Sequence, residues 1–347
     1  MYSNVDIESA VAAGVMPQAT ADALRLHVST LRATPMVDEE QFRLLTGFND
    51  IFVAIAGVLL LVGLAWTLGD IYPPLGGAAV AGAAWGLSEY FTRVRRMALP
   101  SIVFLLAFVG GVFSAAAMLL VGESGLNEGD RTGALMLALA AAIAAGAAWL
   151  HWRRFMVPIT VAAGAAATVG VVLALALSAV PDLRELIYPL MGFAGVAVFA
   201  LAMRWDMSDR ERTTRRSDVA FWLHLLAAPL IVHPVFTQLG VFGDRGGVAT
   251  ALVVLGLYVV MGLVALAIDR RALMVSALAY VLVAVGTLFR EFGAVGTNVA
   301  LTVLLIGSAL LLLSAFWQSA RRLVLGALPE SLGGRLPPTT QPVHAAA

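Results

Sequence analysis

Ten apolar runs, each long enough to cross a bilayer as a helix, follow one another between residues 51 and 317, with arginine-bearing segments between them. A hydrocarbon core of about 30 Å takes about 20 apolar residues as a helix. The runs fall near 51–68, 74–91, 99–121, 132–150, 157–179, 186–203, 219–239, 248–268, 272–289 and 295–317. The chain is 60% hydrophobic and 13% charged. Soluble domains average roughly 45–50% apolar and about 25% charged residues. A mean hydropathy of +0.89 therefore leaves too little polar surface to cover one globule. The expected fold class is all-α, a polytopic transmembrane bundle partnered by the lipid bilayer.

Arginine placement tests the count. Eighteen of the 22 arginines fall in one set of alternate segments, and only Arg131, Arg184, Arg245 and Arg290 fall in the other. The positive-inside rule then puts both termini in the cytoplasm of a bacterial inner membrane. Trp66 and Tyr72 at the outer ends, with Tyr90, Trp149, Trp152, Trp205 and Trp317 at the inner ends, read as interfacial anchors.

All 22 basic residues are arginine, which excludes phosphate-loop and Schiff-base lysines. With no cysteine there is no disulfide, thiolate metal site or cysteine nucleophile. The formal charge is zero, so no global excess points to nucleic acid. HExxH, GxSxG, a phosphate-cradling glycine loop and an acidic metal cluster are all missing from the sequence. No catalytic residue, cofactor or metal ligand is assigned, and the chain reads as a non-enzyme.

Residues 1–46 contain no secretory signal and read as a cytosolic segment. Asn4 caps a helix with Ile7, Val11 and Val15 on one face, and Gly14 ends it. A second helix starts with Pro17 at its first position and carries Leu24, Val28 and Leu31. A third short helix is expected after Asp38, where Gln41 gives capping-box spacing and Phe42 and Leu45 an apolar edge. This hairpin either docks a protein partner or caps the bundle. Residues 47–322 form the bundle and 323–347 a disordered cytosolic tail.

Helices in lipid associate through small residues. Gly82 with Gly86, Ala138 with Ala142 and Gly146, and Gly164 with Thr168 have that spacing. The two five-span halves, if related, would be inverted repeats, but no pattern recurs at a fixed offset.

Ionisable groups at membrane depth are the default place to look for function. The seventh span, AFWLHLLAAPLIVHPVFTQL, contains His224, Pro229, His233, Pro234 and Gln238. Each proline removes a helix hydrogen bond, so the carbonyls of Leu225 and Leu230 need other partners. Either this polar, kinked element lines a cavity with His233 as a proton-responsive or substrate-contacting group, or its histidines bond neighbouring helices. His224 and His233, nine residues apart, fall on opposite helix faces and do not suit one metal. Glu89 is either a proton or cation carboxylate or the partner of Arg93 one turn on. Asn49 and Asp50 read as caps of the first span, Asn298 as one near the outer end of the tenth. The stretch RWDMSDRERTTRRSD, 204–218, reads as a solvated loop or as a contact for a partner or anionic lipid.

The pattern IESAVAAGVMPQATADALRLH, followed by a polar stretch and many short apolar spans, resembles bacterial multi-pass membrane proteins of the domain-of-unknown-function 2157 type. The resemblance covers the first 46 residues and the layout, and implies a cytosolic helical hairpin on a membrane bundle without supplying an activity. Two functions are carried forward: a docking or membrane-sensing protein, and a secondary transporter of a small solute.

Overall fold

The computed structural model describes residues 4–32, 48–122, 131–209, 212, 214–240, 248–271 and scattered positions between 273 and 336. The short helix expected after Asp38, most of the predicted ninth and tenth spans with Asn298, and most of the tail lie outside the described residues. Every regular element among the described residues is helical. The chain divides into two compact units, one built on the N-terminal residues to Gln41 and one on Phe42–Thr339.

The first unit holds α1 (Asn4–Ala12) and α2 (Gln18–Arg32). Gly14 lies between them with φ +70, the left-handed backbone expected where a helix ends. The carbonyl of Pro17 accepts from the N–H groups of Thr20 and Ala21 at 3.0 and 3.1 Å. Pro17 thus precedes the first residue of α2, one position earlier than its sequence suggests. Arg25 closes the pair, 3.7 Å from Glu8 and 2.9 Å from Asp22.

The second unit runs through α3 (Phe48–Ile71), α4 (Pro73–Leu87), α5 (Ala98–Leu120), α6 (Arg131–Phe155), α7 (Ile159–Ala179), α8 (Ile187–Met207), α9 (Arg215–Gln238), α10 (Val248–Ile268) and the amphipathic α11 (Trp317–Ala327). Six of these, α3 and α5–α9, have the length and apolarity to cross a membrane. α4 has 15 residues before a seven-residue π-helix, Ser88–Val94, takes over, and α10 has 21. α11 runs to Ala327, into residues that the sequence reading gives to the tail.

Sequential helices pack as hairpins, α3 on α4, α4 on α5, α6 on α7 and α8 on α9, and α9 also meets α7. Half of the apolar stretch of α9 is buried, more than in any other of the six. Pro229 and Pro234 leave it an unbroken helix. Large apolar side chains elsewhere face outward, among them Phe52, Leu59, Trp66, Leu119, Phe193 and Leu311. Such a surface is stable only against lipid or another apolar partner.

The packing contacts differ from those expected from small-residue spacing. A Cβ added at Gly82, Gly86 or Gly146 would meet nothing within 4 Å. Close backbone approach occurs instead at Gly77, whose Cβ would lie 2.6 Å from the Ala115 nitrogen, and at Gly111, 2.7 Å from the Gly77 oxygen. Gly195 does the same for α8 against α9, 2.9 Å from the Ile231 nitrogen. On α6 the buried stripe is Ala134, Ala138, Ala141, Ala144 and Ala148, while Ala142 is exposed. Steps of three and four residues, not four alone, keep one face toward a neighbouring helix. Asp50 is buried within the first turn of α3, where an acid suits the helix dipole, instead of standing at its cap.

Candidate functional site

The described turns on the arginine-bearing side are strained at one residue each. Arg96, Met156, Arg212 and Asp269 are the four non-glycine residues with positive φ among those described, at 54°, 54°, 55° and 58°. They follow α4 with its π-turn, α6, α8 and α10. A left-handed backbone outside glycine is uncommon and persists where surrounding contacts hold it. At Arg212 and Asp269 those contacts are visible. Arg212 reaches Asp269 Oδ2 at 3.0 Å and donates to the Ile268 and Asp269 carbonyls at 3.1 and 2.9 Å.

Asp269 is a hub. Besides Arg212 it accepts the indole N–H of Trp317 at 2.7 Å, and Arg321 lies 3.8 Å away. The Arg271 guanidinium stacks 5.0 Å from the Trp317 ring centre. Trp317 is 2% exposed. It does not join the lipid-facing belt assigned to it from sequence, unlike Trp66, Tyr72, Tyr90 and Trp149, which are exposed. Burial pulls the Arg321 guanidinium down and Asp269 opposes that shift. An arginine stays charged regardless, so the carboxylate is its necessary partner.

One residue further, Arg270 turns inward to a second carboxylate. Its Nε lies 3.2 Å from Asp206 Oδ2 and its Nη2 bonds Oδ1 of the same group. Nη2 also donates to the carbonyl and hydroxyl of Ser217 at 3.1 and 3.2 Å. On the other side of Asp206, His224 Nε2 lies 2.8 Å from Oδ2. A carboxylate only accepts, so this nitrogen carries the hydrogen. Asp206, His224 and Arg270 are all within 3% of full burial. Phe199 stacks edge-on against the imidazole, with ring centres 5.2 Å apart. His224 Nδ1 is buried with no hydrogen-bond partner.

Local folding delivers these groups. Asp206 sits in the last turn of α8, and Asp209 beyond it accepts from the Thr214 backbone at 3.0 Å and hydroxyl at 2.6 Å. Thr214 caps α9 by accepting from the Arg216 N–H. This side-chain-bonded turn brings Ser217 and His224 alongside Asp206. The stretch 204–218 is only in part the solvated loop expected: Asp206, Asp209 and Ser217 are buried, while Arg204, Ser208, Thr214, Arg215 and Arg216 are exposed.

The sequence-designated residues lie apart from one another. His224 is in the network. His233 is half-buried on α9 near Tyr188, with ring centres 6.4 Å apart, and its carbonyl accepts from Thr237. Both histidines thus approach α8, but at positions eleven residues apart, about 16 Å along a helix. Gln238 is exposed at the end of α9. Glu89 lies in the π-turn and takes a two-pronged contact from Arg154, at 2.7 and 3.0 Å, with Arg93 at 3.4 Å. The intrahelical pair expected from spacing is present, and the stronger cross-helix clamp to α6 was not foreseen. His151 was also missed: it is fully buried among Trp85, Phe108 and Phe155, and its Nδ1 lies 3.3 Å from the Thr160 hydroxyl. No three of His, Asp and Glu converge on a metal position among the described residues.

Comparison with protein-family models, with characterised proteins and with solved structures finds no significant match to this chain.

Proposed function

We propose that this chain is a ten-span inner-membrane protein with both termini cytoplasmic, and that it works without catalysis as a docking or membrane-sensing protein. The observation that carries the reading is the division of the chain into a helical-hairpin unit and a lipid-compatible bundle. The hairpin exposes Val15 and Leu24, apolar side chains that a partner helix would cover. The resemblance of its sequence to the domain-of-unknown-function 2157 type supports the same layout. The partner is a protein, and nucleic acid is not expected.

A second reading, a secondary transporter of a small solute, is favoured by one specific observation. The sequence shows little buried charge, yet Asp206, His224, Arg270 and Arg321 are buried together where α8, α9, α10 and α11 meet, and α9 contains two prolines. Charge buried within a membrane bundle commonly marks ion or substrate pathways.

In-cell crosslinking separates the two. Docking predicts a crosslinked species that disappears both on deletion of residues 1–46 and in Val15→Asp/Leu24→Asp, with the bundle still monodisperse. Transport predicts that a metabolite and ion library contains a compound that raises thermal stability by mass action. That shift would be lost in His233→Ala and untouched by the deletion. If the deletion abolishes no contact and no compound shifts the melt, both readings fail.

A further inference from the structure

We propose that the Asp206–His224–Arg270 cluster is a proton-binding site, and that the proton it takes releases Arg270 and the turn it holds. Charge is balanced here in a closed space. Asp206 is shared between a permanent cation, Arg270, and the Nε2 of an imidazole whose Nδ1 has no acceptor to hold a second hydrogen. The pair of ions is balanced, with the Nε and Nη2 donors of Arg270 spent on Asp206 and Ser217. Of the two imidazole nitrogens, Nδ1 has no partner and is the one that can take a further proton.

Protonation there has two consequences. It adds a second positive charge beside a single carboxylate, and it leaves a buried N–H without an acceptor. Both are costly in a dry interior. Around the imidazole, α8 supplies Asp206 and the Phe199 ring edge, the turn after α10 supplies Arg270, and the turn before α9 supplies Arg212, whose charge also acts on His224. The nearby acids are engaged elsewhere: Asp209 holds Thr214 and Asp269 holds Arg212 and Trp317. Asp218 feels both Arg270 and Arg215. Among the described residues Asp206 is the carboxylate bonded to His224, so the two cations compete for it.

The histidinium is fixed within α9, whereas Arg270 sits on a turn at the membrane edge, one residue from the strained Asp269. The guanidinium is the group that can leave for water. When it leaves, it takes the turn that holds Arg212, Trp317 and Arg321, and the tie that Asp269 makes between Arg212 and Trp317 goes with it. This holds whether the bundle serves a docked partner or a solute.

The chain has no cysteine, so a single introduced thiol is read without background. Ala265, fully buried, accepts the Arg270 backbone N–H and lies directly beneath the turn. The experiment compares labelling of Ala265→Cys by a water-soluble maleimide with that of Val94→Cys, which is exposed and distant in sequence, in the purified full chain from pH 8 to pH 5. Taking the ratio cancels the pH dependence of the thiol itself. Because the second cation and the unpaired N–H oppose protonation, the expected ratio rises about tenfold only toward the acid end of the scan, below the ordinary histidine range. In His224→Gln, which still donates to Asp206 but cannot take a proton, the ratio stays low throughout. A flat ratio in the parent, or a rise that persists in His224→Gln, overturns the proposal. If His224→Gln does not fold, Arg270→Lys decides: a weaker hold on Asp206 moves the rise to higher pH, and an unmoved midpoint overturns the proposal.

Discussion

Asp206 carries two partners, and its loss would leave a buried guanidinium and a buried imidazole facing each other. Breaking a buried ion pair by removing one member costs about 3–5 kcal/mol, mostly from the stranded charge. Asp206→Asn is therefore expected to lower the unfolding free energy by about that amount. Asp206→Leu/Arg270→Met should cost less than the two single changes together, with a coupling of about 1–3 kcal/mol in thermal unfolding. Glu89→Gln is expected to melt with the parent, because its carboxylate pairs with Arg93 and Arg154 at the solvent edge, where ion pairs contribute little. The sequence made His224 legible, as a rare ionisable group within an apolar run. It hid Asp206, which sits in a stretch mixing five arginines with four acids and so reads as solvated. Its burial arises from a contact with a residue 64 positions away, which no local periodicity can reveal.

Glycine spacing illustrates the same limit among helices. Small residues four apart were abundant enough to mark several faces, but only some of those faces meet another backbone. Gly77→Ala and Gly111→Ala place a methyl against backbone atoms of the facing helix. Each is expected to destabilise the α4–α5 hairpin by about 1–3 kcal/mol, as overpacking does. Gly82→Ala meets open space and should melt at or slightly above the parent temperature, since alanine is the better helix former. Equal melting of the Gly77 and Gly82 variants would contradict this assignment of the contact face. Helix positions, by contrast, were largely readable: the runs near 99–121, 157–179 and 248–268 match α5, α7 and α10 within one or two residues. Hydrophobic runs of this length leave one way to satisfy a backbone in lipid. The π-turn at Ser88–Val94 has no counterpart in the apolar run, which extends to residue 91.

At the scale of the molecule, the proposed topology has the bundle crossing the membrane with its arginine-bearing turns and both termini in the cytoplasm. Those turns alternate with the opposite loops along the chain, so this topology fixes the side of every loop. Single cysteines in the cysteine-free chain test it directly, by reaction with an impermeant thiol reagent in intact and in permeabilised spheroplasts. Tyr72→Cys, Ser124→Cys, Glu185→Cys, Asp244→Cys and Glu291→Cys are expected to react in both. Val94→Cys, Ser208→Cys and Ser319→Cys are expected to react only after permeabilisation. Reaction of Val94→Cys or Ser208→Cys in intact spheroplasts, or protection of Glu291→Cys together with Ser319→Cys, would contradict the ten-span arrangement.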